Sequence, residues 1–158
     1  MKPDQFLSQL ERQPVAPVYL FLGPEAYHRD RCRRALIERM LPAEEREPGF
    51  VRLDLEESTL SSVLDDACSL SLFSPRRLIW VSSAEAALPR GRRGHSSDSG
   101  EEGPAEGNVS ALVQYLANPT PGVALVFDSS RYEFDGEDKA RQERVSKFYS
   151  PIRNVVEF

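Results

Sequence analysis

The turn after the first apolar run is where this sequence could hold a phosphate. Residues 17–22 are typical of a buried strand, and Gly23-Pro24-Glu25 then leads into a helix from about Ala26 to Met40. A P-loop needs a second glycine followed by Lys and Ser/Thr, which wrap the phosphates and hold magnesium, and none of these residues is in place. Pro24 also removes a backbone donor, and the Glu25 carboxylate would repel a phosphate. We therefore expect Gly23 to serve the turn, and we predict no cofactor.

The remaining residues of chemical interest do not form a recognisable catalytic or metal site. His28 and His95 lack a Ser or Cys nucleophile and a carboxylate in a known arrangement. Asp54, at a strand end, could mimic a magnesium-binding acid, but without a P-loop a loop-capping role is favoured. Cys32 and Cys68 fall in separate helical runs with no second ligand at metal spacing, so we expect both to be small, buried apolar residues. The sequence thus predicts no catalytic residue and no metal ligand.

Length and composition favour one soluble domain. The chain has 158 residues, of which 40% are hydrophobic and 28% charged, and its longest apolar runs reach only about half of a membrane span. The N-terminus lacks the apolar core of a signal peptide, so we expect a cytoplasmic protein with no membrane contact. The formal net charge of −5 argues against broad electrostatic binding of nucleic acid.

The periodicity of apolar residues alternates between strand and helix. Asp4 is expected to cap a short first helix and Thr59 to start the third one. The order predicts an α/β fold with a five-stranded, mainly parallel sheet, helices on both faces and right-handed crossovers. The predicted strands lie at residues 17–22, 50–54, 78–81, 122–127 and 154–158, and helices at about 4–10, 26–40, 59–67, 109–116 and 139–149.

The composition changes abruptly between residues 89 and 107. This stretch contains Arg90, Arg92 and Arg93 and then Gly, Ser, Asp and Glu, with too few apolar residues to offset the entropy of ordering. We predict a mobile loop insertion here, within a single domain that spans residues 1–158. Because the chain ends in its last strand, we expect it to be a fragment of a longer protein.

The connection between the third helix and the third strand, Ser69-Leu70-Ser71-Leu72-Phe73, contains large apolar residues where polar ones are usual. Most large apolar side chains belong to the core, and the residues alone favour that interpretation. Against it, these side chains cannot all share one helical face with the apolar residues of the preceding helix, and Ser74-Pro75 forces a turn. The alternative is that they are reserved for a partner protein.

The order of several stretches resembles the delta subunit of the bacterial DNA polymerase III clamp loader. The helical run, residues 70–73 and then Arg76–Val81 carry the resemblance, together with Val18–Gly23 as the opening strand and turn. Residues 116–121 followed by Val123–Phe127 resemble the fourth helix-strand unit. The resemblance implies the AAA+-like N-terminal domain of a three-domain subunit that does not hydrolyse ATP. The missing P-loop, and the absence of a Ser-Arg-Cys finger motif from the sequence, agree with that.

The resemblance also implies a binding site for the ring-shaped sliding clamp. Many clamp partners use a Gln-Leu-Ser/Asp-Leu-Phe motif, which this chain matches at four of five positions, with Ser69 in place of Gln. The implied partners are the clamp, other clamp-loader subunits and, in the complete complex, primed DNA; DNA polymerase activity belongs to the holoenzyme. The predicted clamp-binding residues are Ser69, Leu70, Ser71, Leu72, Phe73 and Ser74.

Two other functions stay open from the sequence. One is a nucleotide-binding, ATPase-like α/β domain with a degenerate loop after Gly23. The other is a DNA-binding module that uses Arg90, Arg92 and Arg93, although a solubilising role for these loop charges is favoured by the net charge of −5. The absent Lys-Ser/Thr pair argues against the first.

Overall fold

A computed structural model describes residues 1–69, 74–88, 104–130 and 138–158. Its centre is a five-stranded sheet in the order β2-β3-β4-β1-β5, and every pair of neighbouring strands is parallel. The strands are β1 (Val18–Leu22), β2 (Phe50–Asp54), β3 (Arg77–Ser82), β4 (Val123–Ser129) and β5 (Val155–Glu157). The predicted parallel α/β sheet is confirmed.

The strand sequences explain their places in the sheet. All residues of β1 and β4 are buried, as are the first five of β3, which suits central strands that are covered on both faces. β2 and β5 are the edge strands and are only partly buried. In the central strands, therefore, nearly continuous apolar runs supply both faces of the core.

The helices cover both faces of the sheet. α1 and α2 pack on one face, where Phe6, Phe21, Leu36 and Trp80 belong to one buried cluster. The other face carries a second cluster with residues from α4, α5 and α6. The helices are α1 (Pro3–Arg12), α2 (Ala26–Met40), α3 (Arg46–Gly49), α4 (Leu60–Cys68), α5 (Pro104–Ala117) and α6 (Asp138–Phe148).

Several local predictions need correction. Asp4 does not cap α1, because Pro3 already begins the helix and Asp4 lies in its first turn; proline is favoured at that first position. Cys68 is exposed rather than buried, since it is the last residue of α4 and lies beyond the helix's buried face. Cys32 is buried as predicted. The short helix α3, and 3-10 turns at residues 43–45 and 84–87, were not predicted.

The predicted insertion lies mostly outside the described residues. Residues 89–103, including Arg90, Arg92, Arg93 and His95, are not described, so the mobility of this stretch stays a prediction. Residues 104–107, which the composition assigned to the insertion, already form the first turn of α5, where Pro104 suits a helix start. No helix among the described residues is long and apolar enough to cross a membrane.

Candidate functional site

The two regions that the sequence singled out lie at opposite edges of the sheet. The turn after β1 is at the carboxyl edge, because it follows the end of a strand. The described parts of the connection from α4 to β3, Ser69 and residues 74–76, are at the amino edge, because they precede a strand. Ligands of open α/β sheets usually bind outside the carboxyl edge. A function carried by residues 69–74 would therefore use the edge that this fold does not normally use for ligands.

At the carboxyl edge, the N-terminus of α2 is capped by the chain's own carboxylate. Glu25 accepts hydrogen bonds from the backbone N–H groups of Tyr27 at 3.1 Å and His28 at 2.8 Å. His28 Nδ1 also lies 2.6 Å from Glu25 Oε2, so both the backbone and the side chain of His28 take part in the helix cap. These contacts, above all the backbone hydrogen bond from His28, hold the pKa of Glu25 below its usual value. Two of the helix N-terminal N–H groups that could hold a phosphate are therefore already bonded to Glu25.

A buried polar cluster joins α2 to β3 and β4 near the carboxyl edge of the sheet. Trp80 Nε1 donates a 3.3 Å hydrogen bond to Asp128 Oδ2, and Arg29 Nε lies 3.2 Å from Asp128 Oδ1. Arg29 also stacks over the Phe158 ring, 5.4 Å from its centroid. Burial raises the pKa of Asp128, and the charge of Arg29 opposes that shift. The charge of this site is thus balanced within the chain.

The residues at the carboxyl edge of the sheet argue against the nucleotide-binding alternative. Gly23 has φ +123°, and the backbone of Phe158 packs directly against it, so the turn has no open cradle for a phosphate. Asp54, the predicted loop cap, accepts hydrogen bonds at its side chain from the Glu56 N–H at 2.9 Å and at its carbonyl from Ser58 Oγ at 2.7 Å. Among the described residues, no three His, Cys, Asp or Glu side chains form a group that could bind a metal.

At the amino edge, α4 leads to the predicted clamp-binding segment. Thr59 caps the helix by accepting a 3.1 Å hydrogen bond from the Ser62 N–H, which confirms its predicted place at the helix start. Four apolar side chains of α4, with Val63 and Ala67 among them, are buried against the sheet. Cys68 and Ser69, at the end of the helix, are exposed.

The predicted site residues are only partly described. Leu70, Ser71, Leu72 and Phe73 lie outside the described residues, so their exposure is not known from this structure. Ser69 is exposed, and its Oγ donates to the Asp66 carbonyl at 2.7 Å. Ser74 is 3% exposed, and its Oγ donates to the Arg76 carbonyl at 2.6 Å. The first five residues stay predicted clamp contacts, and so does Ser74, although its hydroxyl is buried.

The chain on both sides of residues 70–73 is held by close contacts. After the segment, glycines pack closely against the backbone. A Cβ added at Gly49 would lie 2.8 Å from Arg76 O, and one added at Gly122 would lie 2.5 Å from Pro75 O. Before the segment, the last turn of α4 is bonded by the buried Arg77 side chain of β3. The backbone that carries the segment is therefore fixed to the sheet at both ends.

The comparison with known proteins identifies the family. The family described as "DNA polymerase III, delta subunit" matches residues 19–150 of this chain. The chain belongs to this family. The matched residues run from the second residue of β1 past the end of α6, so delta family membership rests on nearly the whole sheet and not on the short Leu-Phe motif alone.

Solved structures agree with the delta family fold. The DNA clamp loader delta protein of Bacillus subtilis (YqeN) is 20% identical and superposes with a TM-score of 0.68, covering 99% of this chain and 42% of that protein. The likeness supports the predicted AAA+-like fold. The chain spans less than half the length of that delta protein. Among curated proteins, none matches this sequence.

Sequence reasoning missed two features of this delta family domain. One is the cluster of Arg29, Trp80 and Asp128, which lie far apart in the chain. The other is the burial of Arg77, which the sequence places beside Arg76 without distinguishing the two. A signal was present in each case: an acid directly after the apolar run of β4, and a charge at the start of the apolar β3. Neither signal identifies its partner without the fold.

Proposed function

We propose that this chain is the sliding-clamp-binding domain of a clamp-loader delta subunit. Family membership over residues 19–150 supports this, as does the fold shared with a protein named a DNA clamp loader delta protein. The observation that carries the proposal is the anchoring of the residues on either side of the Leu-x-Leu-Phe segment. Its flanks are anchored at the amino edge of the sheet, directly after the exposed end of α4.

The proposed grip consists of Leu70, Leu72 and Phe73. Fully burying Leu72 and Phe73 against a partner would contribute roughly 3–6 kcal/mol in total. Leu70 would add about as much as either one of them. Association of two proteins costs about 4–15 kcal/mol, so these side chains alone give weak binding. A second contact surface is therefore part of the proposal. The half-exposed side chain of Arg76 adjoins the segment and is the candidate, whereas the carboxylate of Asp66 is paired with Arg77.

The proposed action on the clamp is binding without any bond made or broken. A partner shifts a conformational equilibrium when it binds one state better than the other. A grip that fits a displaced clamp interface better than a closed one would favour the open ring. Other clamp-loader subunits and primed DNA enter the proposal as partners of the complete complex.

Clamp binding by the Leu72→Ala/Phe73→Ala double variant tests the site. We expect the wild-type domain to bind its cognate sliding clamp in surface plasmon resonance, and the double variant to lose at least about 2 kcal/mol, which is roughly 30-fold in affinity. Val113→Ala is the matched control, because Val113 is an exposed apolar residue (47% exposed) on α5. Unchanged binding by the double variant would refute the assignment. Saturable ATP binding by calorimetry would instead revive the nucleotide-binding alternative.

A further inference from the structure

Arg77 is a buried arginine whose side-chain hydrogen bonds go to the end of α4. Its side chain is 9% exposed, at the first position of the otherwise apolar β3. Nη1 donates to the Asp66 carbonyl at 2.9 Å and to the Ser69 carbonyl at 3.3 Å, and Nη2 lies 2.6 Å from Asp66 Oδ2. Burying a guanidinium is costly unless it is fully paired, so this arrangement requires a reason beyond packing.

The bonded groups are those that a helix end leaves without partners. The last carbonyls of an α-helix have no intrahelical donor, and a cation near them interacts favourably with the helix dipole. Arg77 supplies both the donors and the charge to the end of α4. Its own backbone is fixed in the sheet, since its N–H donates to the Gly122 carbonyl at 2.9 Å.

The Arg77 side chain therefore joins the two flanks of the Leu-x-Leu-Phe segment. Ser69 directly precedes residues 70–73, and Arg77 follows them after Ser74-Pro75-Arg76. The guanidinium of Arg77, on one side of the segment, is thus bonded to Ser69 on the other side. A segment held in this way loses less conformational entropy when a partner binds it.

We infer that Arg77 is a positioning residue for clamp binding: it holds the end of α4, and with it Ser69, against β3 directly beside the proposed grip. This inference rests on the proposed clamp-binding function. Arg77 does not contact the clamp in this scheme, because both of its Nη atoms donate within its own chain. The neighbouring Arg76, by contrast, lies 3.6 Å from Glu45 and keeps a side chain that is 49% exposed.

The test compares Arg77→Met with Arg77→Lys. In Arg77→Met the apolar stem is kept and every polar bond is lost, so we expect clamp affinity to fall about 10- to 100-fold while the domain remains folded. Arg77→Lys keeps the charge but not the fork of donors, and should recover part of the loss. Amide hydrogen exchange of the free protein should become faster in residues 66–76 of Arg77→Met and stay unchanged in α2.

Two further variants keep the inference falsifiable. Asp66→Asn removes one ion pair and leaves the carbonyl bonds, so a smaller loss of affinity is expected even if Arg77→Met does not fold. Arg52→Met, at an exposed arginine of β2, is the matched control and should bind the clamp as the wild type does. If folded Arg77→Met and Asp66→Asn both bind with wild-type affinity, Arg77 has only a structural role and the inference is wrong.

The same assay separates this inference from the proposed function. Retained clamp binding by Leu72→Ala/Phe73→Ala would refute the clamp-binding site itself. Loss of binding in that double variant together with wild-type binding in Arg77→Met would refute the positioning role alone.

Discussion

The backbone of Phe158 packs against Gly23. The Phe158 N–H donates to the Leu22 carbonyl at 2.7 Å, which brings the Phe158 carbonyl over Gly23 at a position where no side chain fits. The turn that holds phosphate in related folds is here a packing contact between two strand ends. Phe158, directly after β5, thus joins the carboxyl ends of β1 and β5.

Gly23→Ala should destabilise the domain. The backbone at Gly23 has φ +123°, which L residues rarely adopt, and a Cβ would overlap Phe158. We expect the free energy of unfolding to fall by about 1–3 kcal/mol, measured by urea denaturation. Gly107→Ala is the matched control, because Gly107 lies in α5 with nothing within 4 Å of its missing Cβ. It should raise stability by about 0.5–1 kcal/mol; equal effects of the two variants would contradict this account.

Tyr149→Phe should also lower stability. The buried Tyr149 hydroxyl donates a 2.8 Å hydrogen bond to the carbonyl of Ala84, and burial raises the pKa of Tyr149, so the donor stays protonated. Removing it deletes a buried hydrogen bond, at a cost of about 0.5–1.5 kcal/mol in thermal or urea unfolding. Tyr27→Phe, at a side chain that is 72% exposed, should leave stability unchanged. Unchanged stability of Tyr149→Phe would mean that this hydrogen bond does not stabilise the fold.

The cap at Glu25 should make stability depend on pH in the acid range. Its hydrogen bonds lower the pKa of Glu25 below the ordinary 4.5, so its contribution is complete above that value and is lost as the pH falls through the lower, folded-state pKa. Glu25→Gln should be less stable than the wild type at pH 7, and the difference should shrink towards pH 3. Urea midpoints between pH 3 and 7 measure this.

Two further variants serve as controls for the pH experiment. Glu44→Gln, at an exposed residue outside α2, should follow the wild-type profile. Asp128 has a pKa raised by burial, so protonating it favours the folded state as the pH falls. Asp128→Asn should therefore lose stability more steeply than the wild type on acidification. A shallower loss would show that Arg29, not burial, dominates the pKa of Asp128.

The two cysteines should differ sharply in reactivity. Cys68 is exposed at the end of α4, whereas Cys32 is buried and its pKa is raised to about 11 by that burial. At pH 7.5 an alkylating reagent should label Cys68 quickly and Cys32 only on unfolding, because the thiolate is the reactive form. Mass spectrometry measures both rates, and Cys68→Ser should abolish the fast one.

Cys68 also reports on the proposed clamp contact. It lies two residues before Leu70, so a saturating amount of the sliding clamp should protect it from alkylation, by about tenfold or more if the thiol is covered in the complex. Alkylation at the unprotected rate in the presence of bound clamp would place the clamp elsewhere on the domain. Labelling of unfolded protein, where the clamp cannot bind, provides the control.

Much of the fold could be predicted because its signals are local. The bounds of α2 and β2 agree with the predicted ranges, and the β1, β3 and β4 strands stand out as apolar runs between polar turns. Cys68 was misjudged because helical spacing places it near the buried residues of α4, while the helix ends there. The start of α5 was placed too late because the composition of residues 89–103 masked the helix-forming residues after Pro104.

The candidate site divides in the same way. The Leu-x-Leu-Phe segment and the absent P-loop are written in consecutive residues, and the delta family resemblance rests on such stretches. The sequence by itself therefore determined the sheet class, the family and the place of the proposed grip. Only the tertiary structure brought Arg77 to the end of α4, Arg29 to Asp128 and Phe158 to Gly23, because each contact joins residues from different elements. The strength of these contacts depends on burial and geometry that arise only when the sheet is assembled.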